Sequence, residues 1–418
     1  MDLRLPVGNR LWLIEDSGYR PDTVRDLFAS SRYLSDIDWQ DYFIKYERDL
    51  TGNRYCQAAA AFLMTLLPNV KSVVLPQYWT SDKDTEKLLE AIVDLARQPN
   101  STRINASLSS LISLETSFSL LKRQGFDLNK ITPLLALPRI RSFHGPRSIS
   151  HIGARKPSSP DKALPPSIGE TMEVAHLLSS NLDGAAMKYF LRCTPRLKTL
   201  VYSHSSNPFD PPWDICALVA AIVKEVGSHL EELSITTHGF TGKIALGTAT
   251  MRGFARLQKL EVPLDLVTCV IESAAQLETK EGIGTGSGAD SGQSHVNLLM
   301  CGLVPASATR LFLRSDEWKH RDDGHVSIGL PEMDDGVPGF KGRPQQHERT
   351  LETMFQDFAE KKDAQLPSLK EIRVSYPATA GETYKARCKG LLPEAEKVGV
   401  KVYLDGGRYL AVMDFAGT

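Results

Sequence analysis

A short phrase, apolar–x–x–apolar–x–apolar, recurs down this chain and limits the fold more than any other feature. Its clearest form is Cys193-Thr-Pro-Arg-Leu-Lys-Thr-Leu-Val-Tyr-Ser203, where Leu197, Leu200 and Tyr202 hold the apolar positions. Leu200 and Tyr202 alternate, as residues on one face of a strand do. Further copies start at Val70, Ile140, Leu230, Leu257, Ala308 and Leu369. The closest copies, Leu197, Leu230 and Leu257, are spaced like repeats of roughly 20–29 residues or slightly more that hold one strand and one helix. The wider spacings predict either a degenerate repeat or an insertion. Leu108-Ser-Ser-Leu111 is one candidate for a degenerate strand, and Leu11-Trp-Leu13 is a candidate first strand.

Helical patterns fill the spaces between copies. An apolar helix is predicted over 55–67, and residues 22–48 also read as helical. The next helix is predicted to start at an N-capping Ser81, with Leu88, Leu89, Ile92, Leu95 and Ala96 at helical spacing. Others are expected over 127–136, 171–192, after Val262 to about Leu277, and around Leu351, Met354, Phe355 and Phe358. The cleanest runs from Asp214 to Val226, with Ile215, Leu218, Val219, Ile222, Val223 and Val226 on one stripe. Gly227 follows it where a left-handed residue is wanted.

Helix and strand in alternation imply parallel strands joined by right-handed crossovers. One such unit cannot bury its apolar face alone, so neighbours must stack. The expected fold is therefore α/β: a single leucine-rich-repeat-like right-handed solenoid over 1–418, clearest over 55–405, with parallel strands inside and helices outside. Segments 145–170, 279–295 and 320–348 carry Pro, Gly and Ser without apolar periodicity and are expected to be insertions.

Composition narrows the function classes. With 418 residues, 42% hydrophobic, 24% charged and a formal net charge of −1, the chain has ample apolar surface and no basic block. Nucleic acid is a poor partner for it, and no apolar run approaches the roughly 20 residues that span a bilayer. The six cysteines form no C-x-x-C pair, and the opening Met-Asp-Leu-Arg-Leu-Pro lacks a charged segment followed by an apolar one. Reduced thiols and a cytoplasmic or nuclear location are the expectation. Cys193 and Cys216 sit in apolar runs as small core residues.

Motifs for chemistry are thin. Gly284-x-Gly286-x-x-Ala289 matches a dinucleotide fingerprint loosely, but lacks the strand before and the helix after that such a loop needs. Ser159-Pro-Asp-Lys162 lies in a Pro/Ser-rich stretch. His320 and His325 bracket Asp322-Asp323 without a regular ligand spacing. No catalytic residue, metal ligand or cofactor is expected from these.

The strand positions between the apolar ones are more informative. They read Ser72/Val74, Ser142/His144, Thr199/Val201, Glu232/Ser234, Lys259/Glu261, Arg310/Phe312 and Glu371/Arg373. Alternation puts them together on the face away from the helices. Mixed charge with a few apolar spots suits a protein surface better than a phosphate polymer. Trp79, Trp213 and Trp318 each follow a strand, either on the rim where strands end or folded back over their own helices. The candidate partner-binding set is therefore Trp79, His144, Trp213, Glu232, Lys259, Arg310, Phe312, Trp318 and Arg373.

The stretches L-L-P-N-V-K-S-V-V-L at 66–75, L-R-C-T-P-R-L-K-T-L at 191–200 and H-L-E-E-L-S-I at 229–235 resemble the irregular leucine-rich-repeat domain of fungal F-box-type proteins. L-K-E-I-R-V at 369–374, followed by G-V-K-V-Y-L at 399–404, is similar too. The resemblance implies a substrate-recognition role, with an N-terminal F-box docking on the Skp-type adaptor of a cullin ubiquitin ligase. An F-box itself is not evident, because Leu5-Pro6 is followed by Val-Gly-Asn-Arg rather than by an acidic residue and leucines. The reading is a protein-interaction module with an unknown protein ligand, the Skp-type adaptor joining only through a degenerate F-box. Two alternatives stand beside it: a hydrolase or transferase using the 279–348 loops, and a structural repeat protein without an F-box.

Overall fold

The computed structural model describes residues 2–4, 21–51, 56–76, 79, 82–98, 106–117, 126–128, 131–145, 148–150, 168–206, 210–237, 243–270, 303–315, 343–376 and 382–406. They form an α/β protein in which the strand pairings that follow are parallel. The chain divides into two compact units: Met1–Leu178 with Tyr189–Leu197, and Ser179–Lys188 with Lys198–Thr418.

In the first unit, β1 (Asp2–Arg4) pairs with β2 (Ser72–Leu75), β2 with β3 (Ser113–Thr116), and β3 with β5 (Ser142–His144). The start of β7 (Val174–Leu182) continues the row. A short pair, β4 (Phe126–Asp127) and β6 (Ser148–Ser150), lies beside it. Helices α1 (Pro21–Ala29), α2 (Trp39–Thr51), α3 (Gln57–Met64), α4 (Lys83–Arg97) and α5 (Thr132–Leu135) complete this unit, together with the end of α6 (Gly184–Arg192). Val73, Leu75, Leu114, Phe143, Ala175 and Leu177 are buried on one strand face, as the alternation requires. An aromatic cluster fastens the N-terminal helices: Phe28 stacks on Phe62 with ring centroids 3.8 Å apart and meets Phe43 edge-on at 5.4 Å.

The second unit carries β8 (Thr199–His204), β9 (Glu232–Thr237), β10 (Lys259–Pro263), β11 (Arg310–Arg314), β12 (Glu371–Tyr376) and β13 (Lys401–Gly406). Each pairs with the next in unbroken register, so Leu200, Leu233, Leu260, Leu311, Ile372 and Val402 form one apolar row. The first five are fully buried. Its helices are the start of α6, α7 (Ile215–Val226), a helical segment over 264–270, α8 (Arg343–Phe355), α9 (Phe358–Gln365) and α10 (Glu382–Lys397).

Several expectations need correction. The degenerate repeat near Leu111 is real, but its strand is Ser113–Thr116; residues 107–110 are a turn in which Leu108 has φ 52°. Residues 174–182 form β7 rather than the first half of a helix, because Ala175 and Leu177 are drawn to the buried face beside Phe143. Among the described residues of 127–136, the α-helix is confined to Thr132–Leu135. The cap of α4 is Asp82, not Ser81: its carboxylate accepts from Thr85 N–H at 2.7 Å. Gly227 is right-handed, φ −57°, so close packing rather than backbone conformation demands the glycine there. The helical pattern around Leu351–Phe358 is two helices, broken at Asp357, whose φ is 56°. Leu11-Trp-Leu13 and the segments 151–167, 279–295 and 320–342 lie outside the described residues, as do the dinucleotide-like loop, Ser159–Lys162 and the His320/His325 pair.

Candidate functional site

The strand face opposite the apolar row of the second unit holds the polar candidates. Register aligns Thr199, Glu232, Lys259, Arg310, Glu371 and Lys401 in one row. Two residues further along each strand, Val201, Ser234, Glu261, Phe312, Arg373 and Tyr403 form a second. Both rows point the same way because side chains repeat every second residue.

Charge is paired locally along this face. Lys259 Nζ lies 2.5 Å from Glu232 Oε1. Glu261 is buried and accepts from Ser234 Oγ at 2.5 Å and from the Arg314 guanidinium at 3.0 Å. Glu371 serves two guanidiniums, Arg373 Nε at 2.7 Å on one oxygen and Arg310 Nε at 3.9 Å on the other. The more exposed of these pairs, Lys259–Glu232 and those on Glu371, are worth about 0–1 kcal/mol each. Their consequence is positional: they hold long side chains in one geometry before anything binds.

The β11–β13 end is where the face opens. Arg373 lies between two rings, its guanidinium carbon 5.4 Å from the Phe312 centroid and 5.2 Å from that of Tyr403. Tyr403 is 43% exposed, and the Arg310 side chain 51%. Arg310 and Arg373 share one carboxylate, Glu371, with Lys401 beside it in register, so the patch joins positive charge to exposed aromatic surface. Toward β8–β10 the same face closes, with Val201, Ser234 and Glu261 buried.

Of the residues expected from sequence, Glu232, Lys259, Arg310, Phe312 and Arg373 are thus gathered on adjacent strands of one unit. His144 lies in the other unit, on β5. Trp79 and Trp213 are interior, at 2% and 4% exposure, so neither offers an exposed ring to a partner. Trp213 stacks flat on His204, with centroids 4.0 Å apart and planes 4° from parallel. His204 Nδ1 meets the Tyr202 hydroxyl at 2.8 Å, and burial lowers the His204 pKa to about 3. Trp318 lies outside the described residues. Tyr403 and Glu371 complete the patch; the signal for Tyr403 was present, since Val400-Lys-Val-Tyr-Leu404 repeats the phrase with tyrosine where β12 has Arg373.

A second polar group had no sequence signal. Ser315 follows β11, Asp265 lies two residues beyond β10, and His347 is on α8. His347 Nδ1 meets Ser315 Oγ at 2.9 Å, and its Nε2 lies 3.5 Å from Asp265 Oδ1 without hydrogen-bond geometry. Beside them Thr268 and Thr350 share a hydroxyl hydrogen bond of 2.9 Å. The residue types are those of a nucleophilic triad, but all three are buried. They act as a polar clamp joining α8 to the segment 264–270 and to the end of β11.

Cys193 and Cys216 are buried among apolar neighbours, and burial raises both thiols, that of Cys216 to about 11. Such thiols are inert at neutral pH. No helix among the described residues is long and apolar enough to cross a membrane. Compared with protein-family models and with curated proteins, the chain matches none.

Proposed function

We propose that the chain is a leucine-rich-repeat-type solenoid acting as a protein-interaction module, and that the β11–β13 face of its second unit receives the partner. The observation that carries this reading is the arginine held between two aromatic rings, Phe312–Arg373–Tyr403, on registered strands with Arg310 alongside. Arg and Tyr concentrate binding energy in protein interfaces because they bury much area for little lost freedom. Here much of that freedom is already spent, since Arg373 is fixed by Glu371 and by both rings. The paired, near-neutral charge of the remaining face favours a folded or extended polypeptide over a phosphate polymer.

The more specific role is substrate recognition for an F-box-type ubiquitin ligase, supported by the phrase pattern at 66–75, 191–200 and 369–374. A photo-reactive amino acid placed at Tyr403 should cross-link a discrete protein in the native cell, while one at the exposed Leu63 of α3 should not. Co-purification of a Skp-type adaptor and a cullin would establish ligase membership. Equal cross-linking from both positions would remove the β11–β13 face from the account.

A further inference from the structure

We propose that His144 and His176, on neighbouring strands of the first unit, form a two-histidine site for a borderline divalent transition metal such as Zn²⁺, Ni²⁺ or Cu²⁺, with Glu115 as the reachable third ligand.

The placement follows from register. Glu115 on β3 aligns with His144 on β5, and His144 with His176 on β7. Neighbouring strands lie about 4.8 Å apart, so three such residues at one register position share one face. The two imidazoles have centroids 4.5 Å apart and planes 71° from parallel. Imidazole nitrogens bound to one tetrahedral ion at about 2.0–2.1 Å place the ring centroids about 5 Å apart. The pair therefore stands near the separation that a shared ion requires, edge to face rather than stacked.

His176 is also largely removed from water, being only 8% exposed. Both rings are also held neutral. Burial lowers the His144 pKa against the opposing charge of Glu115, and burial together with His144 lowers that of His176 to about 4. Neutral imidazole is the ligating form, so an ion has no proton to displace at neutral pH.

Among the described residues, no three His, Cys, Asp or Glu side chains already stand as a metal-binding group. Glu115 must therefore swing toward His144 when an ion arrives, and its exposed position leaves it free to do so. Two imidazoles and one carboxylate, with water at the fourth position, select borderline ions over Mg²⁺ or Ca²⁺, which want oxygen cages.

The test uses the full chain stripped with a chelator and titrated with ZnCl₂ by calorimetry, with thermal melts alongside. One equivalent should bind and raise the melting temperature, and MgCl₂ should do neither. Co²⁺ should give the visible absorption of a tetrahedral site. His144→Ala should weaken Zn²⁺ binding by at least tenfold and Glu115→Gln by a smaller factor, while His229→Ala leaves it intact. His144 is half-exposed, so this variant keeps the test decisive even if His176→Ala fails to fold. No Zn²⁺ binding up to millimolar concentration, or one equivalent bound undiminished by His144→Ala, overturns the proposal.

Discussion

Gly227 and Gly390 should respond in opposite directions to the same substitution. A Cβ on Gly227 would sit 2.4 Å from the Val223 carbonyl oxygen and 2.9 Å from that of Gly253. Both obstacles are backbone, and neither can turn away as a side-chain tip does. Gly227 is also fixed in place: its N–H donates to Val223 O at 3.1 Å, and its own carbonyl accepts from Ala255 N–H at 3.1 Å. Forcing a methyl group into such a contact costs about 1–3 kcal/mol or more, against an entropy gain of about 0.4–1 kcal/mol from losing a glycine. Gly227→Ala should therefore destabilise by about 1–2 kcal/mol. Gly390 lies within α10 with no atom inside 4 Å of the added carbon, so Gly390→Ala should stabilise by about 0.5–1 kcal/mol. Urea unfolding followed by circular dichroism reads both as shifts in midpoint. A Gly227→Ala midpoint equal to or above the parent's would refute the reasoning, because nothing but the close approach demands glycine there.

Three further outcomes are expected. Leu233→Ala and Leu260→Ala, fully buried partners on β9 and β10, should each cost about 2–5 kcal/mol in the same assay, and unchanged midpoints would mean the strand register is wrong. His176 and His204 are kept neutral by burial, with folded pKa values of about 4 and about 3 against an ordinary 6.5. The unfolded chain binds their protons first, so stability should be flat above pH 7 and fall as the pH drops from 6.5 toward 4; His176→Gln should flatten part of that fall, and identical pH profiles would contradict the assignment. Tyr202→Phe removes a buried hydroxyl that meets His204 Nδ1 and receives the Leu182 N–H at 3.3 Å, and should cost about 1–3 kcal/mol by thermal or urea unfolding.

Much of the architecture was legible because one physical constraint repeats. Each strand needs alternate apolar residues, and Leu200, Leu233, Leu260, Leu311 and Ile372 announce it in the same phrase each time. That alternation alone also places Glu232, Lys259, Arg310, Phe312 and Arg373 on a common face. The phrase failed where its residues are weak. β7 opens at Val174-Ala175 on small side chains, so it reads as part of a helix until Phe143 and Ala175 are seen side by side. Long-range polar contacts were not legible at all. Asp265, Ser315 and His347 are far apart in sequence and carry no spacing rule, and Trp79 and Trp213 look alike on rim or in core until their burial is known.

The claim at the centre of this account is that the Phe312–Arg373–Tyr403 patch is where a protein partner binds. It is tested most directly by quantitative affinity purification from native cells with the parent chain, Arg373→Ala, Tyr403→Ala and, as a control on the same unit, the exposed Leu246→Ala. The account predicts that the two patch variants lose a common set of bound proteins by about tenfold or more, with melting temperatures unchanged, while Leu246→Ala keeps that set. Full recovery of the same proteins by both patch variants would contradict it.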